Sequence, residues 1–340
     1  MKIQSVLTAA TLAVAAFTAG CSKAPEPVTV IANPSVVRLD PALDSLIPAG
    51  AAVEKVVGGF HFLEGPLWRP DGSLWFSDLV GNIAHRWSPD GKVTDVLNPG
   101  GYDKKDAPEG AYIGPNGMAA GPDNTVILCQ HGNRRIVRVA SDGKVSLLLD
   151  RYQGKRLNSP NDLVYEPGGA LYFTDPPFGL TKQDDDPAKE LPFNGVFRFS
   201  KGKLQPIIKD LARPNGIAFS PDYKTLYISN SEANHRLWMR YDVNADGTVS
   251  NGRVFFDATS SPDQGVPDGM RVDSLGNVYA AGPGGIWVFN PEGKHLGTIK
   301  PPEGPSNCAW GDDGKTLYIT AVTSVYRIRL SVAGAKAVYN

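Results

Sequence analysis

One pattern returns six times along the chain: Glu64-Gly-Pro-Leu-Trp-Arg-Pro70, Pro115-Asn-Gly-Met-Ala-Ala-Gly-Pro122, Pro160-Asn-Asp-Leu-Val-Tyr-Glu-Pro167, Pro214-Asn-Gly-Ile-Ala-Phe-Ser-Pro221, Pro267-Asp-Gly-Met-Arg-Val-Asp273 and Ser306-Asn-Cys-Ala-Trp-Gly-Asp312. The aligned anchors, Glu64, Asn116, Asn161, Asn215, Asp268 and Asn307, are separated by 39 to 54 residues. After each comes a short apolar stretch, a turn, and a run rich in β-branched and aromatic residues, such as Leu74-Trp-Phe-Ser, Leu171-Tyr-Phe-Thr or Leu317-Tyr-Ile-Thr. Such runs between turn signals are strands. An alternating third strand (Arg135-Ile-Val-Arg-Val139) and a further Asp-Gly turn lead to a fourth. Four strands per repeat of this length make a propeller blade. The prediction is an all-β, six-bladed β-propeller of four-stranded antiparallel blades over residues 53–340, with essentially no helix. Val53 to Gly59 would supply the outer strand of the last blade and close the ring.

The first 20 residues read differently. Lys2 is followed by an uncharged run from Val6 to Ala19 and then Thr18-Ala19-Gly20-Cys21, the layout of an export signal with small residues at its cleavage point. Ala-Gly before Cys21 resembles the lipobox of bacterial lipoproteins, although Thr18 stands where a large aliphatic residue is usual. The expectation is a signal peptide over 1–20, lipidation at Cys21, a tether and N-terminal extension over 21–52, and a periplasmic or outer-membrane lipoprotein touching membrane only through that anchor. Cys129 and Cys308 lie on distant blades and are expected to be free and buried. With 34 Lys and Arg against 35 Asp and Glu, the chain offers no basic surface for nucleic acid. No obligate protein partner is implied.

In a propeller the first strand of each blade lines the central channel, so the six anchors should form a ring at one mouth. Two carboxylates and four carboxamides, without His or Cys, are hard oxygen donors of the kind Ca²⁺ takes. Another divalent cation is possible. A single Asn-Gly is ordinarily a turn, but a turn requires no Glu at the first position.

Glu64-Gly-Pro, Asn158-Ser-Pro-Asn-Asp162 with Tyr172-Phe-Thr-Asp-Pro-Pro177, Arg213-Pro-Asn-Gly216, Pro267-Asp-Gly-Met270 and Asn307-Cys-Ala-Trp310 resemble the bacterial gluconolactonases, grouped with regucalcin and diisopropylfluorophosphatase among calcium-dependent propeller hydrolases. The resemblance spans about Val53 to Leu330. It implies that Glu64, Asn215 and Asp268 bind the metal, that Asn161 coordinates it or holds substrate, and that Asp268 is the general base or nucleophile. Ser159 stands where regucalcin has an Arg. The function implied is hydrolysis of a small sugar lactone to its aldonic acid. A cation would stabilise charge on the carbonyl oxygen, and Asp268 or His131 would take the proton of the attacking water. Asn116 would orient substrate hydroxyls or stand behind the metal ligands, and Asn307 reads as a turn residue. Asp78 and Asp175 read as turn caps, and Gln183 to Asp186 as a solvated acidic loop or a lid. An ester or phosphotriester hydrolase on the same site, or a non-catalytic binding propeller, are the other readings.

Overall fold

Successive residues of a strand face opposite sides, so a blade sandwiched between two others needs apolar residues at both parities. The second strands meet this condition. Tyr172 packs towards blade 4 while its neighbour Phe173 packs towards blade 2. Six buried clusters result, one for each junction between neighbouring blades. The computed structural model describes residues 29–30 and 35–339. The signal-like segment, the tether and Cys21 lie outside the described residues.

The six blades are antiparallel sheets in the predicted order. Their innermost strands are Leu63–Trp68, Pro115–Ala120, Leu163–Tyr165, Pro214–Phe219, Met270–Val272 and Pro305–Gly311. Glu54–Gly58 pairs antiparallel with Ser324–Arg329 as the fourth strand of blade 6, with Thr29–Val30 added outside it, so the two ends of the propeller are locked in one sheet. Cys129 and Cys308 are buried and free, as expected. Burial also pushes both thiols upward, that of Cys308 to about 12, which leaves them inert.

Two segments do more than the repeat pattern indicated. Val36–Arg38 adds a fifth strand to blade 5 against His295–Ile299. The short helix Leu43–Leu46 that follows buries Leu43, Leu46 and Ile47 in the junction of blades 5 and 6. With Thr29–Val30 at the edge of blade 6 and Val36–Arg38 at the edge of blade 5, the described part of the N-terminal extension belongs to the wall. One turn of helix is too short to show a 3.6-residue period, which is why the sequence concealed it.

At the other terminus, the chain crosses the end of the channel remote from the anchors. The amide of Ser274 donates to the Ala333 carbonyl at 2.8 Å, that of Ala335 to Val272 at 3.0 Å, and Tyr339 meets Tyr165 edge-on at 4.9 Å. This strap covers a cavity of about 490 Å³ lined by Leu67, Met118, Val164, Ile217 and Val272.

Candidate active site

Each anchor lies at or just before the start of the innermost strand of its blade, and the approach to several anchors is held by a polar residue at the end of the second strand. Asp78 accepts the amides of His61, Phe62 and Gly81. Asp175 accepts that of Asn158 at 2.8 Å, and Asn230 Oδ1 that of Arg213 at 2.9 Å. The capping role read for Asp78 and Asp175 is the one they perform. Hydroxyl groups then stitch neighbouring blades together: Ser77 Oγ donates to the Asn116 carbonyl at 2.6 Å and Thr174 Oγ1 to that of Asn215 at 2.6 Å.

The glycine after four of the anchors, Glu64, Asn116, Asn215 and Asp268, is explained by the same crowding. A Cβ on Gly216 would stand 2.3 Å from the Asp268 carbonyl oxygen, and one on Gly65, whose φ is +51°, would stand 2.0 Å from that of Asn116. The anchor-Gly pair is therefore a close-approach device between blades.

Around the mouth, Glu64, Asn116, Asn161, Asn215 and Asn307 are all buried. Glu64 Oε2 accepts the Gly65 amide at 2.9 Å and Asn307 Nδ2 at 3.2 Å. Asn215 Nδ2 donates to Ser231 Oγ at 3.0 Å. Asp268 keeps part of its residue open to the channel, but its Oδ1 is inaccessible and lacks a hydrogen-bond partner. Asn116 Oδ1 is in the same condition. Burial and mutual repulsion hold these acids above their ordinary range. Burial pushes Glu64 up to about 7 against the pull of the Gly65 amide. Burial raises Asp268 well above the usual carboxylate value, with the charges of Glu64 and Asp162 adding to the effect. Electrostatically, the mouth invites a cation. Among the described residues no group of three His, Cys, Asp or Glu side chains could by itself hold a metal; the ring mixes its carboxylates with carboxamides instead.

His131 is fully buried behind the ring. Nδ1 faces the Tyr112 carbonyl at 3.3 Å and Nε2 faces Asn116 Nδ2 at 2.9 Å. A carbonyl only accepts, so Nδ1 carries the proton and Nε2 accepts from the amide. Burial lowers the imidazolium to about 4, keeping the ring neutral. With its lone pair committed, His131 fixes the flip of Asn116 and turns Oδ1 away from itself.

Three other residues and one loop depart from their sequence reading or were missed by it. Asn307, read as a turn residue, bonds Glu64 across the blade 6 to blade 1 junction. Asp162 and Arg271 reach into the channel beneath the ring, their side chains 3.6 Å apart. The loop at Gln183 to Asp186 is not merely solvated, because Asp184 pairs with Arg213 and accepts from Asn194 Nδ2 at 2.9 Å.

Asp175 carries a testable electrostatic consequence. Burial pushes its carboxyl up to about 7 despite the Asn158 and Ser159 amides and the nearby Arg134. The unfolded carboxyl titrates near ~4, so between about pH 4 and pH 7 the folded protein holds a proton that the unfolded chain has lost. Stability contributed by this group therefore falls as pH rises through that window. Asp175→Asn should gain on wild type by about 1.4 kcal/mol per pH unit there, read from urea midpoints at three pH values. A gap independent of pH would contradict the assignment.

A family model described as SMP-30/Gluconolactonase/LRE-like region matches residues 62–323. The chain belongs to this family. Within the SMP-30/gluconolactonase/LRE-like family, a gluconolactonase of Zymomonas mobilis is 39% identical over 314 residues, 88% of this chain and 87% of the relative. A regucalcin of Xenopus laevis is 27% identical over 273 residues, covering 76% of this chain and 82% of its own length. Among solved structures, a gluconolactonase of Xanthomonas campestris superposes with a TM-score of 0.79 at 33% identity, covering 92% of this chain and all of that one.

Proposed function

We propose that the chain is an exported, Ca²⁺-dependent lactonase that hydrolyses a sugar lactone of the gluconolactone type to its aldonic acid. Hydrolysis of a lactone is the activity named for the Zymomonas and Xanthomonas relatives. The observation that carries the metal reading is the buried Oδ1 of Asp268, without a hydrogen-bond partner in a ring built from oxygen donors. A buried anion in that condition costs several kcal/mol unless a cation meets it. Glu64, Asn161, Asn215 and Asp268 would hold the ion, and hard oxygen ligands of this kind suit Ca²⁺. When bound, it supplies Lewis-acid stabilisation of charge on the carbonyl oxygen.

The remaining steps fall to the chain's own residues. Asp268 takes a proton from water as the water oxygen bonds to the lactone carbonyl carbon. The ring C–O bond then breaks, and the departing alkoxide oxygen receives that proton, leaving the open hydroxy acid. Asn116, whose buried Oδ1 His131 turns away from itself and leaves unpartnered, orients substrate hydroxyls or stands behind the metal ligands. His131 acts as the positioning group for Asn116, because its own lone pair is engaged. The Cys21 lipid anchor and periplasmic or outer-membrane location complete the proposal.

The test is acid release from D-glucono-1,5-lactone in a pH-stat. The purified chain should accelerate hydrolysis above the spontaneous rate, lose that acceleration in EDTA and regain it with Ca²⁺. No acceleration with Ca²⁺ bound would move the substrate to another ester. Full activity in EDTA would remove the metal.

A further inference from the structure

Beneath the anchor ring lies a second charged pair that the proposed hydrolysis does not use. Arg271 sits on the innermost strand of blade 5, three residues beyond Asp268, and its guanidinium projects into the channel, where it borders the cavity under the C-terminal strap. Its NH1 donates to the Met270 carbonyl at 2.7 Å and stands 3.6 Å from Asp162 Oδ2 on blade 3. The Asp162 side chain is 1% exposed and that of Arg271 22%. Asp162 Oδ2 also faces Asn307 Nδ2 at 3.5 Å, and the same Nδ2 donates to Glu64 Oε2 at 3.2 Å. A continuous path of contacts thus runs from the guanidinium through Asp162 and Asn307 to a carboxylate of the ring.

We infer that Arg271 is a built-in counter-cation, which balances Asp162 under the ring and thereby limits how tightly the ring holds a divalent cation. The inference rests on the metal proposed above. Three carboxylates, Glu64, Asp162 and Asp268, share this mouth with one guanidinium. Ionised, they leave two negative charges for the ion to neutralise; with Arg271 removed they leave three. In a poorly screened interior the third charge acts directly on the ion. In the metal-free protein Arg271 has the opposite importance, since a buried carboxylate stripped of its partner is costly. One residue therefore stabilises the empty propeller and weakens the loaded site.

The experiment is calorimetric titration of the metal-depleted chain with CaCl₂, together with melting temperatures in EDTA. Arg271→Gln should bind Ca²⁺ at least tenfold more tightly than wild type and melt several degrees lower in EDTA. Asp162→Asn should bind at least tenfold more weakly, and Arg271→Lys, which keeps the charge, should stay within about threefold of wild type. The double variant D162N/R271Q should return to within about threefold. A purely structural pair would weaken binding in both single variants. Shifts of the same sign, or no shift in either, would overturn the inference. If Arg271→Gln does not fold, unchanged binding by Asp162→Asn still overturns it. A wild-type chain that binds no divalent cation would instead defeat the metal reading, with the EDTA melting temperatures still reporting the pair.

Discussion

Asp268→Asn should reduce lactone hydrolysis by about a thousandfold, the scale on which a positioned general base acts. The substitution keeps the shape of the side chain and removes both its charge and its capacity to take a proton. Unfolding cannot explain such a loss. Without metal, Asp268 is raised well above its ordinary range by burial and by the charges of Glu64 and Asp162, so a neutral carboxamide relieves repulsion. The metal-free variant should melt at or above the wild-type temperature. Two measurements separate the roles: kcat at saturating Ca²⁺ and the Ca²⁺ dissociation constant. Full rate with the ion bound would exclude Asp268 as base. A rate restored by excess Ca²⁺ would leave it a ligand only.

Gly65→Ala should disrupt the propeller with a single methyl. The left-handed backbone at φ +51° costs an L-residue about 1–2 kcal/mol. The new Cβ would also lie 2.0 Å from the Asn116 carbonyl oxygen, which belongs to the next blade's innermost strand. Backbone on both sides leaves nothing to yield except the junction of blades 1 and 2. We expect a total loss of more than about 3 kcal/mol or failure to fold. Gly72→Ala is the control, since it has φ +78° but meets nothing within 4 Å, and it should lose only about 1–2 kcal/mol. Equal urea midpoints for the two variants would contradict the close-approach account.

The contrast between these two glycines shows what a one-dimensional pattern carries. Every innermost strand begins near an anchor because the repeat itself encodes that register, and the strand at Glu54–Gly58 was legible because six blades need a closing edge. Contacts across the ring were not legible. Asn307 and Glu64 are 243 residues apart, and nothing local to Asn307 distinguishes a bond to a carboxylate from a turn. Asp162 and Arg271 belong to blades that are not neighbours, so their pairing follows from the narrowness of the channel. His131 looked like a proton acceptor by residue type, and only its placement against Asn116 and Tyr112 showed both nitrogens engaged. Val36–Arg38 and the strap after Ser331 have no counterpart in the repeat, and a pattern found by self-alignment is blind to them.

The sheet that joins both ends of the propeller also imposes an order of events. Glu54 is bonded by Arg327, 273 residues later, so a strand synthesised before the first blade finds its partner only when the last strand is available. Until then its edge is open, and the ring-closing contacts, all of very long sequence separation, contribute nothing. Each of the first five blades is a meander of sequential strands and can form as it emerges, but the ring stays open until synthesis is almost finished.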